Sequence, residues 1–287
     1  MLQNSSIQTD NKKPVVTIEK DFVTKKYNNA KRESEVINIL KNHFGNNWST
    51  PEIVNFDLNQ FIMKKCEGER INWRRSQDTF LFEKMAMTGS MLGQLHNIID
   101  NRMDKLLRHQ KSSLNNYLFT KFVDYLDNYG GVHLRNEQRK IIKSGFLNLL
   151  DKRNPVSEYG FVHGDFTYQN ILYGNELNYL IDFENSYIGF QIDDLSRFSS
   201  KLILLGIKSK YLPIDILEKR FLDGYLKIRS IDYETYKLLQ FVYLFNIIKP
   251  LKISFNSLRS ILRKGNNRRK YRKLINTKYQ ELLKIEF

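Results

Sequence analysis

Cysteine is almost absent from this chain: Cys66 is the sole thiol in 287 residues. No intrachain disulfide can form, and such usage points to a reducing compartment, here read as cytoplasmic. Long apolar runs are missing too, none approaching the ~20 residues that a membrane span requires. The segment Met1 to Lys13 is polar and has no apolar core, so no secretory signal is expected there, and residues 1–14 are expected to form a disordered tail. His43, His96, His109 and His133 are scattered, with no cysteine partners at zinc spacing and no His-Glu-x-x-His, so zinc chemistry is not indicated. Acidic residues are outnumbered, 31 Asp and Glu against 46 Lys and Arg, for a formal net charge of +15. Beyond Asp194 they thin further. The field of such a chain repels polycations at long range. What is present, 41% hydrophobic and 13% aromatic residues, is enough for a compact two-lobed fold with ample core.

The richest stretch is His163-Gly164-Asp165-Phe166-Thr167-Tyr168-Gln169-Asn170, followed twelve residues later by Asp182 in Leu180-Ile181-Asp182-Phe183. An Asp, an Asn five residues on and a second Asp beyond a short hairpin have the order and spacing of a metal-assisted phosphoryl-transfer site. The intervening residues explain the spacing. Ile171-Leu172-Tyr173 and Asn178-Tyr179-Leu180-Ile181 are β-prone runs around the turn cluster Gly174-Asn175-Glu176. Paired as a hairpin, they bring Asn170 and Asp182 to one end, where an amide and a carboxylate oxygen can share Mg²⁺. That ion keeps few protein ligands and completes its shell with phosphate and water. Asp165 is then free to orient a hydroxyl and accept its proton. The plain alternative, a solvated Asp/Asn loop, accounts for the first motif alone and not for the hairpin and strand end that follow.

His-Gly-Asp-Phe-x₃-Asn-Ile-Leu followed by Leu-Ile-Asp-Phe-Glu resembles the aminoglycoside phosphotransferase and choline kinase superfamily. The resemblance implies an α+β, bilobal protein-kinase-like fold, with a small antiparallel-sheet N-lobe over residues 15–66 and a mostly helical C-lobe over 67–287. It implies ATP and Mg²⁺ as cofactors and a small-molecule hydroxyl as acceptor. By position, Asp165 would be the catalytic base, His163 a support of its loop, and Asn170 and Asp182 the Mg²⁺ ligands. Glu184 stands where protein kinases have the glycine of Asp-Phe-Gly, as in the small-molecule group. Phe61 to Glu69 resembles the last N-lobe strand and hinge, which would put Met63 behind the adenine and the backbone of Lys65 and Cys66 beside it. Met91 to His96 resembles the helix end after the hinge, and Ile192-Asp193-Asp194-Leu195 the segment that buttresses the catalytic loop. The resemblance runs over roughly 18–200 and is strongest between 160 and 196.

The N-lobe should supply a phosphate-binding lysine and a helical glutamate. Phe22-Val23-Thr24-Lys25-Lys26-Tyr27 reads as a strand, and Glu33 to Leu40 as a helix through Val36, Ile37 and Leu40. Aligning Phe-Val-Thr-Lys with Val-Ala-Ile-Lys selects Lys25, with Glu33 as partner. Lys26 and Glu35 compete, since alternation sends the two lysines to opposite faces. No Gly-x-Gly-x-x-Gly lies upstream; Val15 to Ile18 can pair with the lysine strand through a tight Glu-Lys-Asp connection, giving one hairpin before the helix.

The positive charge disfavours polycationic aminoglycosides and favours a neutral or anionic alcohol, such as a sugar or a glycolipid head group. A choline or ethanolamine kinase is the named alternative, with Phe221, Tyr225, Tyr233, Tyr236, Phe241 and Tyr243 as aromatic candidates for holding an ammonium or, more simply, as helix core. Arg259, Arg263, Lys264, Arg268, Arg269, Lys270, Arg272 and Lys273 form a basic C-terminal segment, read as a solvated face or as a contact for anionic lipid or a polyanionic glycan, with peripheral membrane placement as its consequence. Nucleic acid is the lesser reading. A non-catalytic pseudokinase scaffold is the alternative of another class. A protein kinase is disfavoured because no activation loop or Ala-Pro-Glu separates Asp182 from Asp194. Spacing does not distinguish ATP from GTP.

Overall fold

The computed structural model describes residues 14–44, 47–73, 78–128, 134–152, 155–208, 212–246 and 258–284; the expected tail up to residue 13, and His133, lie outside them. In chain order the first elements are β1 (Val15–Ile18), β2 (Phe22–Lys26), α1 (Ala30–Lys41), β3 (Trp48–Ser49), β4 (Ile53–Phe56), β5 (Gln60–Lys64), α2 (Asp78–His96), α3 (Asn101–Leu106), α4 (Leu114–Asn128) and α5 (Asn136–Lys152). Then follow β6 (Tyr159–Val162), β7 (Ile171–Tyr173), β8 (Asn178–Leu180), β9 (Tyr187–Phe190), α6 (Ile192–Lys208), α7 (Ile214–Leu226), α8 (Tyr233–Asn246) and α9 (Leu258–Leu283). The chain divides into a smaller unit, residues up to Arg70 with Gln169–Asn185, and a larger one, Ile71–Tyr168 with Ser186–Phe287.

The smaller unit is built on an antiparallel sheet of order β1-β2-β5-β4. Glu19, Lys20 and Asp21 make the tight connection of the first hairpin, closed by the Glu19 N–H donating to the Phe22 carbonyl at 2.9 Å. Helix α1 packs on β4 and β5. Its Val36, Ile37 and Leu40 are at most 1% exposed, each burial contributing about 1.5–3 kcal/mol. A second sheet of order β3-β8-β7 combines a parallel pair, Trp48 opposite Asn178, with the β7–β8 hairpin. The hairpin is tied further by reciprocal backbone bonds between Glu69 and Tyr173, 3.1 and 2.9 Å. Backbone pairing thus draws Gln169–Asn185 into the smaller unit, whereas the sequence reading ran the helical lobe unbroken from 67 to 287. A three-residue strand announces its hairpin partner but not the distant strand that completes its sheet.

Among its described residues the larger unit is mainly helical, with the two-stranded β6–β9 ribbon. Helices α2 and α7 approach closely enough to need glycine on both sides. A Cβ on Gly89 would lie 1.8 Å from the Phe221 carbonyl oxygen, and one on Gly224 2.0 Å from that of Ala86. Aromatic pairs fill the interior: Phe122 stacks on Phe146 at 4.0 Å and Phe198 on Phe221 at 4.3 Å between centroids. Of the six aromatic candidates for an ammonium cage, Phe221, Tyr225, Tyr236, Phe241 and Tyr243 are buried core, and Tyr233 is 52% exposed. Among the described residues, no helix is long and apolar enough to cross a membrane.

Candidate active site

In the smaller unit, strand alternation resolves the two adjacent lysines. Lys25 points inward and is 6% exposed, while Lys26 is exposed. The Lys25 ammonium meets three carboxylates: Glu33 Oε2 at 2.8 Å, Asp182 Oδ1 at 2.6 Å and Glu184 Oε2 at 3.1 Å. Burial alone would lower its pKa. The charges of Glu33 and Asp182, with their hydrogen bonds, outweigh burial and hold it above the ordinary lysine value. Glu33 is fixed in turn by the Tyr27 hydroxyl, which donates to Oε2, and by the Phe183 N–H, which donates to Oε1 at 3.0 Å. Glu35, its competitor, is half-buried and faces Lys31 at 3.9 Å.

Asn170 and Asp182 stand at one end of the β7–β8 hairpin, where the Ile181 N–H donates to the Asn170 carbonyl at 3.0 Å. Asp182 has φ 71°, the only positive φ of a non-glycine among the described residues. Such a conformation is costly for an L-residue and characteristic of functional sites. Ligand oxygens of Glu33, Asp182 and Glu184 all lie within 4.8 Å of one another. Three carboxylates sharing one ammonium leave negative charge on hard oxygen donors, a set that fits Mg²⁺. Glu184 was noted in the sequence as a departure from the protein-kinase glycine that agrees with the small-molecule group; that it reaches Lys25 was not legible there, nor was the contact of Tyr27.

Met63 lies half-buried in β5, opposite Val23 and Ile53. Just beyond the strand, the Lys65 N–H donates to the Asp21 carbonyl at 2.9 Å. Burial pushes the half-buried Cys66 thiol up to about 12, which keeps it protonated and unreactive.

In the larger unit, the pairing of Val162 with Tyr187 ends the β6–β9 ribbon and releases the loop that carries Asp165, whose side chain is 35% exposed. His163 is fully buried. Its Nδ1 accepts the Asp165 N–H at 3.3 Å and its carbonyl accepts the Ser186 hydroxyl at 3.2 Å, contacts of a loop support. Asp194, in the first turn of α6, accepts the His163 N–H at 2.7 Å and the Gly164 N–H at 3.0 Å. Gly164 has φ 79°, a conformation that favours glycine. His96 reaches the same carboxylate with Nε2 at 3.4 Å and pairs Nδ1 with the Tyr225 hydroxyl at 3.0 Å. Burial lowers its pKa and favours the neutral ring.

The neighbouring Asp193 turns to another side of α6. It accepts the hydroxyls of Tyr117, Tyr243 and Tyr187 at 2.5, 2.6 and 3.1 Å. Lys121 lies 2.6 Å from its Oδ1 and Arg197 3.8 Å from its Oδ2. Arg197 also reaches Asp165 Oδ1 at 3.4 Å. Neither Lys121 nor Arg197 stood out in the sequence, because both are single basic residues in a lysine- and arginine-rich chain.

A sequence profile described as a phosphotransferase enzyme family matches residues 4–238. Among solved structures, the gentamicin complex of APH(2")-IIa is similar at 18% identity, covering 95% of this chain and 88% of its own, with a TM-score of 0.55. A choline/ethanolamine kinase family protein from Mesorhizobium loti is similar at 12% identity, 94% and 85% coverage, TM-score 0.53. The macrolide 2'-phosphotransferase MphH from Brachybacterium faecium gives 11% identity, 81% and 84% coverage, TM-score 0.57. At these identities the likeness is one of fold. No curated protein matches the chain. With the profile spanning most of its length and the kinase-like α+β fold shared with these structures, the chain belongs to the phosphotransferase enzyme family.

Proposed function

We propose that this protein transfers the γ-phosphoryl group of ATP to a hydroxyl of a small molecule, a neutral or anionic sugar, glycolipid head group or similar alcohol. The observation that carries the reading is the buried Lys25 held by Glu33 and Asp182, with Asp182 in a left-handed conformation at the hairpin end shared with Asn170. Two solved structures of similar fold, described as an ATP ternary complex and as an ADP complex, support nucleotide use.

In this reading Lys25 binds phosphate oxygens, and Glu33 and Tyr27 keep it aimed. Asn170 and Asp182 would hold Mg²⁺, which when bound would supply positive charge to the transferring phosphoryl group. Met63 and the backbone at Lys65 and Cys66 adjoin the nucleobase. Asp165 orients the acceptor hydroxyl and takes its proton as the acceptor oxygen bonds to the γ-phosphorus and the bond to the β,γ-bridging oxygen breaks. ADP and a phosphate ester leave. His163 and Asp194 hold the loop so that Asp165 does not have to be ordered at the moment of reaction.

The test is thermal stabilisation by ATP and GTP with and without Mg²⁺. A Mg²⁺-dependent shift that disappears in Asp182→Ala is expected; no shift with either nucleotide would replace the reading with that of a non-catalytic scaffold.

A further inference from the structure

In the larger unit Arg197 lies 3.4 Å from Asp165 and shares the buried Asp193 with Lys121, and no step above uses this pair of cations. Lys121, from α4, and Arg197, from α6, converge on Asp193, whose side chain is fully buried. Asp193, held ionised chiefly by Lys121 and Arg197, also accepts three tyrosine hydroxyls. The Lys121 and Arg197 side chains retain 19% and 18% exposure, and Arg197 adjoins Asp165, whose side chain is 35% exposed. The Arg197 guanidinium Nε is buried and has no hydrogen-bond partner among the described residues.

The aromatic surface here is taken. The Lys121 ammonium lies 4.4 Å from the Tyr117 ring centroid and 4.7 Å from that of Tyr243. The Arg197 guanidinium carbon lies 4.9 Å from the Tyr243 ring. Faces that would hold a substrate ammonium through cation–π attraction are occupied by the protein's own cations, which would also repel it.

Resting on the phosphotransferase reading, we infer that Lys121 and Arg197 select the acceptor: its hydroxyl meets Asp165 while a neighbouring oxyanion, carboxylate or phosphate, is bound by these two side chains. A guanidinium fork and a point-charge ammonium suit both oxyanions. The acceptor is then an anionic alcohol and not an amine.

The experiment is a thermal-shift titration at fixed ionic strength with Mg²⁺ and a non-hydrolysable ATP analogue, using size-matched probes: glucuronate and glucose 6-phosphate, glucose, and glucosamine. Wild type should bind at least one anionic probe roughly tenfold more tightly than glucosamine, as expected when a charge pair forms or fails to form. Arg197→Gln and Lys121→Gln should each lose that preference, and Arg197→Lys should retain most of it. A merely structural pair would change the melting temperature without changing the ranking of probes. No response to either anion, an equal response to glucosamine, or a preference that survives both Gln variants would overturn the inference. Should the Gln variants fail to fold, the wild-type ranking and Arg197→Lys still decide it. A nucleotide shift without anion preference removes the acceptor inference alone; the absence of a nucleotide shift removes the phosphotransferase reading.

Discussion

Each unit buries a lysine against carboxylates, and the two lysines behave oppositely. Lys25 is one cation among three carboxylates, and its pKa rises despite burial. Lys121 shares one carboxylate with Arg197 and three tyrosine hydroxyls, and burial with the neighbouring guanidinium brings it down to about 8. Asp193, between two cations, falls to about 2 even though burial opposes ionisation. Burial lowers both values; the carboxylates around Lys25 together outweigh it, and the single shared carboxylate at Lys121 does not. The ratio of charges also decides what each place can bind: excess carboxylate suits a divalent cation, whereas excess ammonium and guanidinium suit an oxyanion.

Three experiments break or sharpen that contrast. The largest effect is expected at Asp165, which neither cluster can replace. Asp165→Ala should lower turnover by roughly 10²–10⁴-fold, the usual share of a general base, with a melting temperature close to wild type; retained turnover refutes the assignment.

The next compares the lysines by pH. For Lys121 the folded-state pKa lies below the ordinary 10.5, so between about 8 and 10.5 the unfolded chain binds more protons at this site. Stability therefore rises with pH across that window. Burial is the largest cause of the shift, opposed by Asp193 and Asp194 and reinforced by Arg197, with the Tyr117 and Tyr243 rings also facing the ammonium. The stability of wild type relative to Lys121→Met should climb from pH 8 to 10. For Lys25 the folded value is raised, so its contribution is fully present below 10.5 and is lost only above that. Wild type relative to Lys25→Met should show no slope over the same range. Parallel pH curves for the two variants would mean that the charge ratio does not govern the pair.

The smallest effect is expected on α9, where Arg269, Lys270 and Lys273 are exposed and Arg272 half-exposed. Replacing these four with Gln should change stability by no more than about 0.5 kcal/mol. Binding to anionic-lipid vesicles would fall if this face contacts membranes, and unchanged binding would leave it a solvated surface. The side chains of Arg259, Arg263, Lys264 and Arg268 lie outside the described residues.

Much of the smaller unit was legible because its signals are local. The β-prone runs around Gly174-Asn175-Glu176 do form a hairpin, and the apolar spacing of Val36, Ile37 and Leu40 does form a helix face. The companion strand β3 was not legible, since Trp48-Ser49 is two residues long and pairs with Asn178-Tyr179 across the chain. The contacts of Tyr27 and Glu184 were not legible because a hydroxyl or carboxylate near a motif has no visible role until its partner is located.

By itself the sequence determined the order and spacing of Asp165, Asn170 and Asp182, because a short loop and a tight hairpin leave those residues few separations to take. It also determined that Lys25 and Lys26 face opposite ways, since strand side chains alternate. Which of them is buried depended on which face of the sheet α1 covers, and only the tertiary structure decided it. The convergence of Lys121 and Arg197 on Asp193 was decided there too. Lys121 and Asp193 are 72 residues apart and meet because α4 and α6 both pack against α8. A net charge of +15 is a sum over the chain; the sign at any one site depends on which few charges packing brings within contact, where Coulomb energies are largest and water screens least.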